Sequence, residues 1–253
     1  MLQITDVHIY HKGLDSAVAE AIQLLSLPPH SHCISATGAH GLVEAQKDSA
    51  FKSTLQQFYW NLPDGMPLVW LGKAKGFSQM TRCYGPDFFS ALLTKTAHLA
   101  EVKHFFCGGK EGVADQLKKQ VAVRFTNANV VGTYCPSFNG MKEQDWQQLV
   151  AAISAAGATV VWIGLSTPKQ ERFAMELAKR VSVHLIITVG AAFDFHTGLQ
   201  PQAPAFMQRA GLEWFFRLCT EPNRLWKRYL EIVPKFVFYG MQDLLRSVLK
   251  KNA

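Results

Sequence analysis

Val160-Val161-Trp162-Ile163-Gly164-Leu165, running into Ser166-Thr167-Pro168-Lys169-Gln170-Glu171, sets an apolar strand against a tight turn and a proline-started helix. Strands buried on both faces read as such continuous apolar runs, and proline favours the first helical position. The layout places unpaired backbone N–H groups, a lysine and a glutamine at the carboxyl edge of a parallel sheet, where open α/β folds bind anionic ligands. An ordinary strand-to-helix connection would look the same, so the rest of the chain must decide.

Outward from this unit, strand-like runs recur at Leu2–Tyr10, His32–Ala36, Lys103–Phe106, Asn129–Tyr134, Thr159–Leu165 and Val183–Val189. Helical patterns fill most gaps: Asp15 is placed to cap Ser16–Leu25, Asp48 opens a stretch to Tyr59, and Glu143–Ala156 is amphipathic. The alternation predicts right-handed βαβ units, hence an α/β fold with a mainly parallel, Rossmann-like sheet covered on both faces. The prolines of Gly198-Leu199-Gln200-Pro201-Gln202-Ala203-Pro204 interrupt the pattern. They suggest an α/β core over residues 1–200 and a helical C-terminal appendage over 201–253.

The 253 residues carry a formal charge of +7, and the interval Arg209–Lys251 holds nine Lys/Arg against four Asp/Glu, a net +5. Trp214, Phe215, Phe216, Trp226, Tyr229, Phe236, Phe238 and Tyr239 lie in the same interval. Basic and aromatic residues mixed in this way suit helices at an anionic membrane surface; a packed helical subdomain, an oligomer interface or a nucleic-acid groove are the competing uses. Five scattered cysteines without a C-x-x-C pair signal neither a disulfide framework nor a zinc site, and a reducing cytoplasm is the expected compartment. The first residues lack the pattern of a signal peptide, and no apolar run reaches the ~20 residues that span a bilayer.

Several common α/β chemistries lack their signatures. No G-x-G-x-x-G follows a strand, and Cys107-Gly108-Gly109-Lys110-Glu111 offers a Gly-Gly turn without the hydroxyl of a Walker A loop. No G-x-S-x-G elbow, D-x-D pair or H-E-x-x-H spacing occurs. No cofactor and no metal site is expected.

Four further stretches fall in a telling order: Asn61-Leu62-Pro63-Asp64-Gly65-Met66-Pro67, read as a turn cluster before an apolar helix Met66–Gly72; Arg82-Cys83-Tyr84-Gly85-Pro86-Asp87; Thr188-Val189-Gly190-Ala191-Ala192-Phe193-Asp194; and Gly211-Leu212-Glu213-Trp214-Phe215-Phe216-Arg217 with Glu221-Pro222-Asn223-Arg224. With Pro168-Lys169-Gln170-Glu171 they resemble the WecG/TagA/CpsF family of bacterial glycosyltransferases over roughly residues 30 to 230. By itself a Pro-Asp-Gly run is most often a turn whose aspartate bonds its own backbone. The resemblance instead implies that Asp64 is a general base, taking the proton from an acceptor hydroxyl as it attacks an anomeric carbon. It implies further that Gln170 and Asp194 line the active site and bond donor-sugar hydroxyls, that Thr37 lies in the substrate site, and that the N–H groups at Gly108 and Gly109 help hold a diphosphate. Arg82, Lys169, Arg217, Arg224 and Arg228 would neutralise that diphosphate in place of a metal ion.

The chain also departs from the family. Ala36-Thr37-Gly38, with Ser35 and His40 beside it, stands where many members have Thr-x-Asn. Cys135-Pro136, Ser166 and Gln202 replace a His-Gly, a glycine and an arginine, so donor or acceptor choice is expected to differ.

The resulting expectation is an inverting, metal-independent transferase, peripheral on the inner face of the cytoplasmic membrane. It would move a sugar from a UDP-sugar to a polyprenyl-diphosphate-linked sugar in cell-wall or extracellular polysaccharide synthesis. A homo-oligomer is compatible with this reading, and nucleic acid is not expected as a partner. Two alternatives stay open at this level, a non-catalytic nucleotide-sugar-binding protein and a nucleic-acid-binding module.

Overall fold

The computed structural model describes residues 2–137 and 140–252. Six strands form one parallel sheet: β3 (His32–Thr37), β4 (Trp60–Pro63), β5 (His104–Gly108), β6 (Val130–Tyr134), β7 (Val160–Gly164) and β8 (Leu185–Thr188), in the order β4-β3-β8-β7-β5-β6. All pairings are parallel, and β5, β7 and β8 are buried along their whole length, as the unbroken apolar run at residue 160 requires.

Alternate residues of each strand feed opposite layers. Phe106, Val160, Trp162, Leu185 and Ile187 pack under α1 (Leu14–Leu25), α5 (Gly85–Thr96) and α6 (Val113–Arg124). Phe105, Val161, Ile163 and Ile186 meet α7 (Glu143–Ala155) and α8 (Lys169–Ala178) on the other face. Burial of each large apolar side chain contributes roughly 1.5–3 kcal/mol, so the paired layers fix the sheet. His104, an imidazole in the first layer, is satisfied internally: Trp162 Nε1 donates to its Nδ1 (3.1 Å) and Thr96 lies 2.9 Å from its Nε2. Burial pushes His104 down to about 3, which keeps it neutral.

Three readings of the sequence are corrected. Leu2–Tyr10 is a hairpin outside the main sheet, β1 (Gln3–Ile4) and β2 (Val7–His8), because Thr5 and Asp6 turn the chain at φ 50° and 66°. The cap of α1 is Gly13 rather than Asp15, which sits within the first turn. Asn61–Pro63 belongs to β4, so Asp64 stands at a strand end, immediately before α4 (Met66–Ala74). The other expectations hold within a residue or two; Asp48, for instance, caps α3 (Ser49–Gln57) by accepting from Phe51 N–H (2.9 Å).

A third apolar cluster joins the hairpin, α2 (Ala39–Lys47), α3 and α4. Ile232 and Phe236 of the last helix, α12 (Pro222–Asn252), complete it. Asp243 ties the same helix to the hairpin, accepting from Thr5 N–H (3.1 Å) and Lys75 Nζ (2.7 Å). Before α12 come α9 (Ala192–His196), α10 (Ala205–Arg209) and α11 (Glu213–Thr220). Among the described residues no helix is long and apolar enough to cross a membrane.

Candidate active site

The strand order locates the site. β5 hands the chain outward to β6 through α6, whereas its neighbour β7 hands it the other way to β8 through α8, and the two helices lie on opposite faces. Their carboxyl ends therefore flank a crevice of the kind in which open α/β sheets bind ligands. Only glycine allows the approach seen there. Gly108 has φ 135°, a Cβ on it would sit 2.6 Å from the Gly164 carbonyl oxygen, and Gly109 N–H donates to that same oxygen at 2.8 Å. Gly108→Ala should destabilise the fold by on the order of 2–4 kcal/mol, from backbone strain plus overpacking. Urea unfolding reads this, and an unchanged midpoint would mean that the strand ends are not in contact.

A cavity of about 940 Å³ opens above the crevice. Asp64 lies in its floor with Ala36, Gly38, Gly164 and Gly190. The Asp64 N–H donates to Thr37 O (3.1 Å), its Oδ1 accepts from Gly85 N–H (2.7 Å), and its carbonyl accepts from Arg82 Nε (2.8 Å). The Asp64 backbone is thus fixed by Thr37 and Arg82, and the carboxylate itself is aimed by the Gly85 N–H. Burial pushes it up to about 6; Arg82 and the Gly85 N–H pull against this, Glu213 adds to it, and Arg217 opposes it. A carboxyl held near 6 is a base at neutral pH and still strong enough to take a hydroxyl proton in a transition state.

Lys169, Gln170, Asp194, Gly109, Arg217, Arg224 and Arg228 all line the same cavity as Asp64, from five different elements and loops. Gln170 is buried and its amide is already engaged. Its Oε1 accepts from Gly190 N–H (3.0 Å) and its Nε2 donates to Glu171 Oε1 (3.0 Å), so it joins the turn after β8 to α8. The Asp194 carboxylate accepts no hydrogen bond from the described residues, and burial holds it above the usual carboxylate range against the pull of Lys110 and Arg224. Thr37, Arg82 and Gly108 do not line the cavity. Thr37 is buried beneath it, bonded to Ser35 and Asn61, Gly108 packs on Gly164, and the Arg82 guanidinium is occupied by Glu213.

Arg217, Arg224 and Arg228 form a cationic wall. Among the described residues Glu221 is the carboxylate that answers it, 3.8 Å from Arg217 and 2.5 Å from Arg224. Burial, then the charges of Arg224 and Arg217, pull the Arg228 guanidinium below its ordinary value, and the buried Arg217 Nε has no hydrogen-bond acceptor among the described residues. Guanidinium groups crowded in this way are stabilised by a multiply charged anion such as a diphosphate.

The chain matches the model of the glycosyl transferase WecG/TagA/CpsF family over residues 2–250. It belongs to this family. A curated relative, the N-acetylglucosaminyldiphosphoundecaprenol N-acetyl-beta-D-mannosaminyltransferase of Bacillus spizizenii, is 29% identical over 194 residues, which cover 77% of this chain and 72% of the relative.

In this WecG/TagA/CpsF glycosyltransferase, three parts of the cavity were given no site role by the sequence reading, although His40 was noted beside the Ala36-Thr37-Gly38 departure. His40 lines it from α2, pushed down to about 4 by burial and by Arg228, and so is a neutral hydrogen-bonding group there. Trp146 and Phe173, with ring centroids 4.7 Å apart, give the side of the cavity toward α7 and α8 an aromatic character. Glu213 faces the cavity while its carboxylate accepts from Tyr84 Oη (2.5 Å) and from Arg82. A signal for Glu213 was present in Gly211-Leu212-Glu213-Trp214, but its partners lie some 130 positions earlier.

Proposed function

We propose that this glycosyltransferase moves a sugar from a UDP-sugar to a sugar carried on a polyprenyl diphosphate, with inversion and without a metal ion. The single observation that carries the reading is the buried, elevated carboxyl of Asp64, held by Gly85 N–H in the same cavity as Arg217, Arg224 and Arg228. Asp64 takes the proton of the acceptor hydroxyl, whose oxygen attacks the anomeric carbon as the bond to UDP breaks. The electrons of that bond leave on the UDP diphosphate, whose growing charge Arg217, Arg224 and Arg228 stabilise, with Lys169 at the start of α8. Asp194 accepts hydrogen bonds from donor hydroxyls, the task its unpaired carboxylate fits best, and Gln170 holds the floor in shape. The relative's name specifies a lipid-diphosphate acceptor and a β-linked product, and a β product from an α-linked nucleotide sugar requires inversion.

The acceptor lipid places the reaction at a membrane, on our reading the inner face of the cytoplasmic membrane, and α12 fits that surface. Leu225, Ile232, Phe236 and Gly240 turn one stripe of the helix toward the protein, whereas Trp226, Leu230, Val233, Val237, Met241, Leu245 and Val248 form a second, exposed apolar stripe. Trp214 and Phe215 of α11 extend it toward the cavity. An apolar face flanked by Lys227, Lys235 and Arg246 suits an anionic bilayer, and the core over residues 1–200 is then completed by an appendage, residues 201–253, that faces the lipid.

Purified protein mixed with UDP-N-acetylmannosamine, its uronic acid or UDP-glucose, and a short-chain lipid-linked N-acetylglucosamine, should release free UDP only when donor and acceptor are both present. Excess chelator should leave the rate within about twofold, since fixed protein charges replace the cation. Loss of the rate in EDTA with recovery in magnesium or manganese would overturn the metal-independent step.

A further inference from the structure

We propose that Glu213 is a positioning residue: its carboxylate, gripped by Arg82 and Tyr84, pins α11 over Asp64 and thereby seats Arg217 on the cavity wall. The inference rests on the reading of Asp64 and the arginines given above. The grip is geometrically complete. One Glu213 oxygen takes the Tyr84 hydroxyl at 2.5 Å and the other takes Arg82, whose guanidinium stacks 3.8 Å over the Tyr84 ring and whose Nε donates to the Asp64 carbonyl at 2.8 Å. A single chain of contacts therefore runs from the backbone of Asp64 to the first turn of α11, and Arg217 lies one helical turn beyond Glu213.

Little else holds α11 to the core. The helix has no fully buried residue, Trp214 and Phe215 are exposed, Phe216 and Leu218 are half-buried, Trp214 leans on Tyr229 of α12 (ring centroids 6.1 Å apart), and Arg217 stands 5.8 Å from the Phe195 ring. At its entry, Gly211 (φ 73°) lets the backbone run against Trp70, where a Cβ would sit 2.8 Å from the ring. By contrast α12 is anchored independently through Ile232, Phe236, Asp243 and the Lys47–Glu231 ion pair. Releasing Glu213 thus frees α11 and Arg217 without unseating the last helix. An ion pair this enclosed is costly to break from one side, because the remaining guanidinium is left without its carboxylate.

The arrangement also links the position of α11 to the protonation of Asp64. The groups facing Asp64 are Arg82, Cys83 and Tyr84 from the segment before α5, with Glu213 and Arg217 from α11; β3 presents the Thr37 carbonyl. Glu213 is the only carboxylate among them. Removing its charge turns Arg82 toward Asp64 and admits water, and both changes favour the ionised base, so the acid limb of the rate profile moves to lower pH.

The test compares the parent with Glu213→Gln and Glu213→Ala in three measurements: backbone hydrogen exchange, calorimetric binding of UDP, and kcat/KM against pH. Glu213→Ala should raise exchange over residues 211–221 while β3, β7 and the anchored part of α12 keep parent protection, and should weaken UDP at least about tenfold through Arg217. Glu213→Gln should lower the plateau rate and move the acid midpoint down by roughly half a pH unit or more. Parent exchange over residues 211–221 in Glu213→Ala, or an unmoved midpoint in Glu213→Gln, would overturn the proposal. A general loss of protection would also overturn it, by making Glu213 a fold residue. If the parent exchanges and binds as expected yet transfers no sugar, the functional reading fails and the latch stands; if the parent transfers sugar and the variants match it, the latch alone fails.

Discussion

Asp64→Asn is expected to turn over about 10²–10⁴-fold more slowly than the parent, the usual worth of a positioned general base, and yet to melt at a higher temperature. The second effect follows from linkage. The folded protein holds Asp64 at about 6 against an ordinary 3.8, chiefly through burial. A group raised in this way favours its protonated form in the fold, so its contribution is intact at low pH and is lost as pH climbs from about 4 through 6. At pH 7 the ionised carboxylate opposes folding by at most about 3 kcal/mol, and an uncharged amide that still accepts from Gly85 N–H removes most of that cost. For a chain of this size a gain of 1–3 kcal/mol raises Tm by several degrees. In the parent, kcat/KM should fall as pH drops through about 6, because the base must be ionised to act. Turnover of the variant within a few-fold of the parent would remove Asp64 from the base role, and a lower Tm would mean that the carboxylate is not held against its hydration.

Placing Glu at Leu230, Val237 and Leu245 together should abolish flotation with anionic liposomes while leaving circular dichroism and the melting curve close to those of the parent. Each substitution removes an apolar contact with the bilayer and adds a charge repelled by it, and the sum corresponds to at least about 10²–10³ in partitioning. The inward stripe of α12 is untouched, which makes these variants a cleaner probe than removing residues from 204 onward; that cut would strip Ile232 and Phe236 from the cluster around α2 and α4. Salt should weaken parent flotation. Unchanged flotation would refute the membrane assignment, and concentration-dependent sedimentation lost in the variant would assign the stripe to a second copy of the chain instead.

The β7–α8 unit was legible because a strand buried on both faces is apolar throughout and its turn chemistry is local. β4 was not, since four edge residues ending in Pro63 carry turn-forming types and their pairing with β3 is set by tertiary contacts. The hairpin at residues 3–8 was hidden inside one apolar run, where two left-handed residues reverse the chain. At the site, Asp64, Asp194 and the arginines of α11 and α12 could be named from short motifs, and they do converge on one cavity. What the motifs could not convey was pairing. Arg82 reads as a free cation until Glu213 is brought to it across 131 positions, and Gln170 reads as a donor to ligand until Gly190 is seen to use its oxygen.

The central claim is inverting transfer to a lipid-diphosphate sugar in the Asp64 cavity. Its most direct test is the anomeric configuration of the product, read by the one-bond carbon–hydrogen coupling at the new linkage after incubation with an α-linked UDP-sugar and a short-chain lipid-linked N-acetylglucosamine. A β-linked disaccharide, formed with one UDP released per linkage and absent in Asp64→Asn, is the predicted result. An α-linked product, or UDP released at the same rate without acceptor, would contradict it.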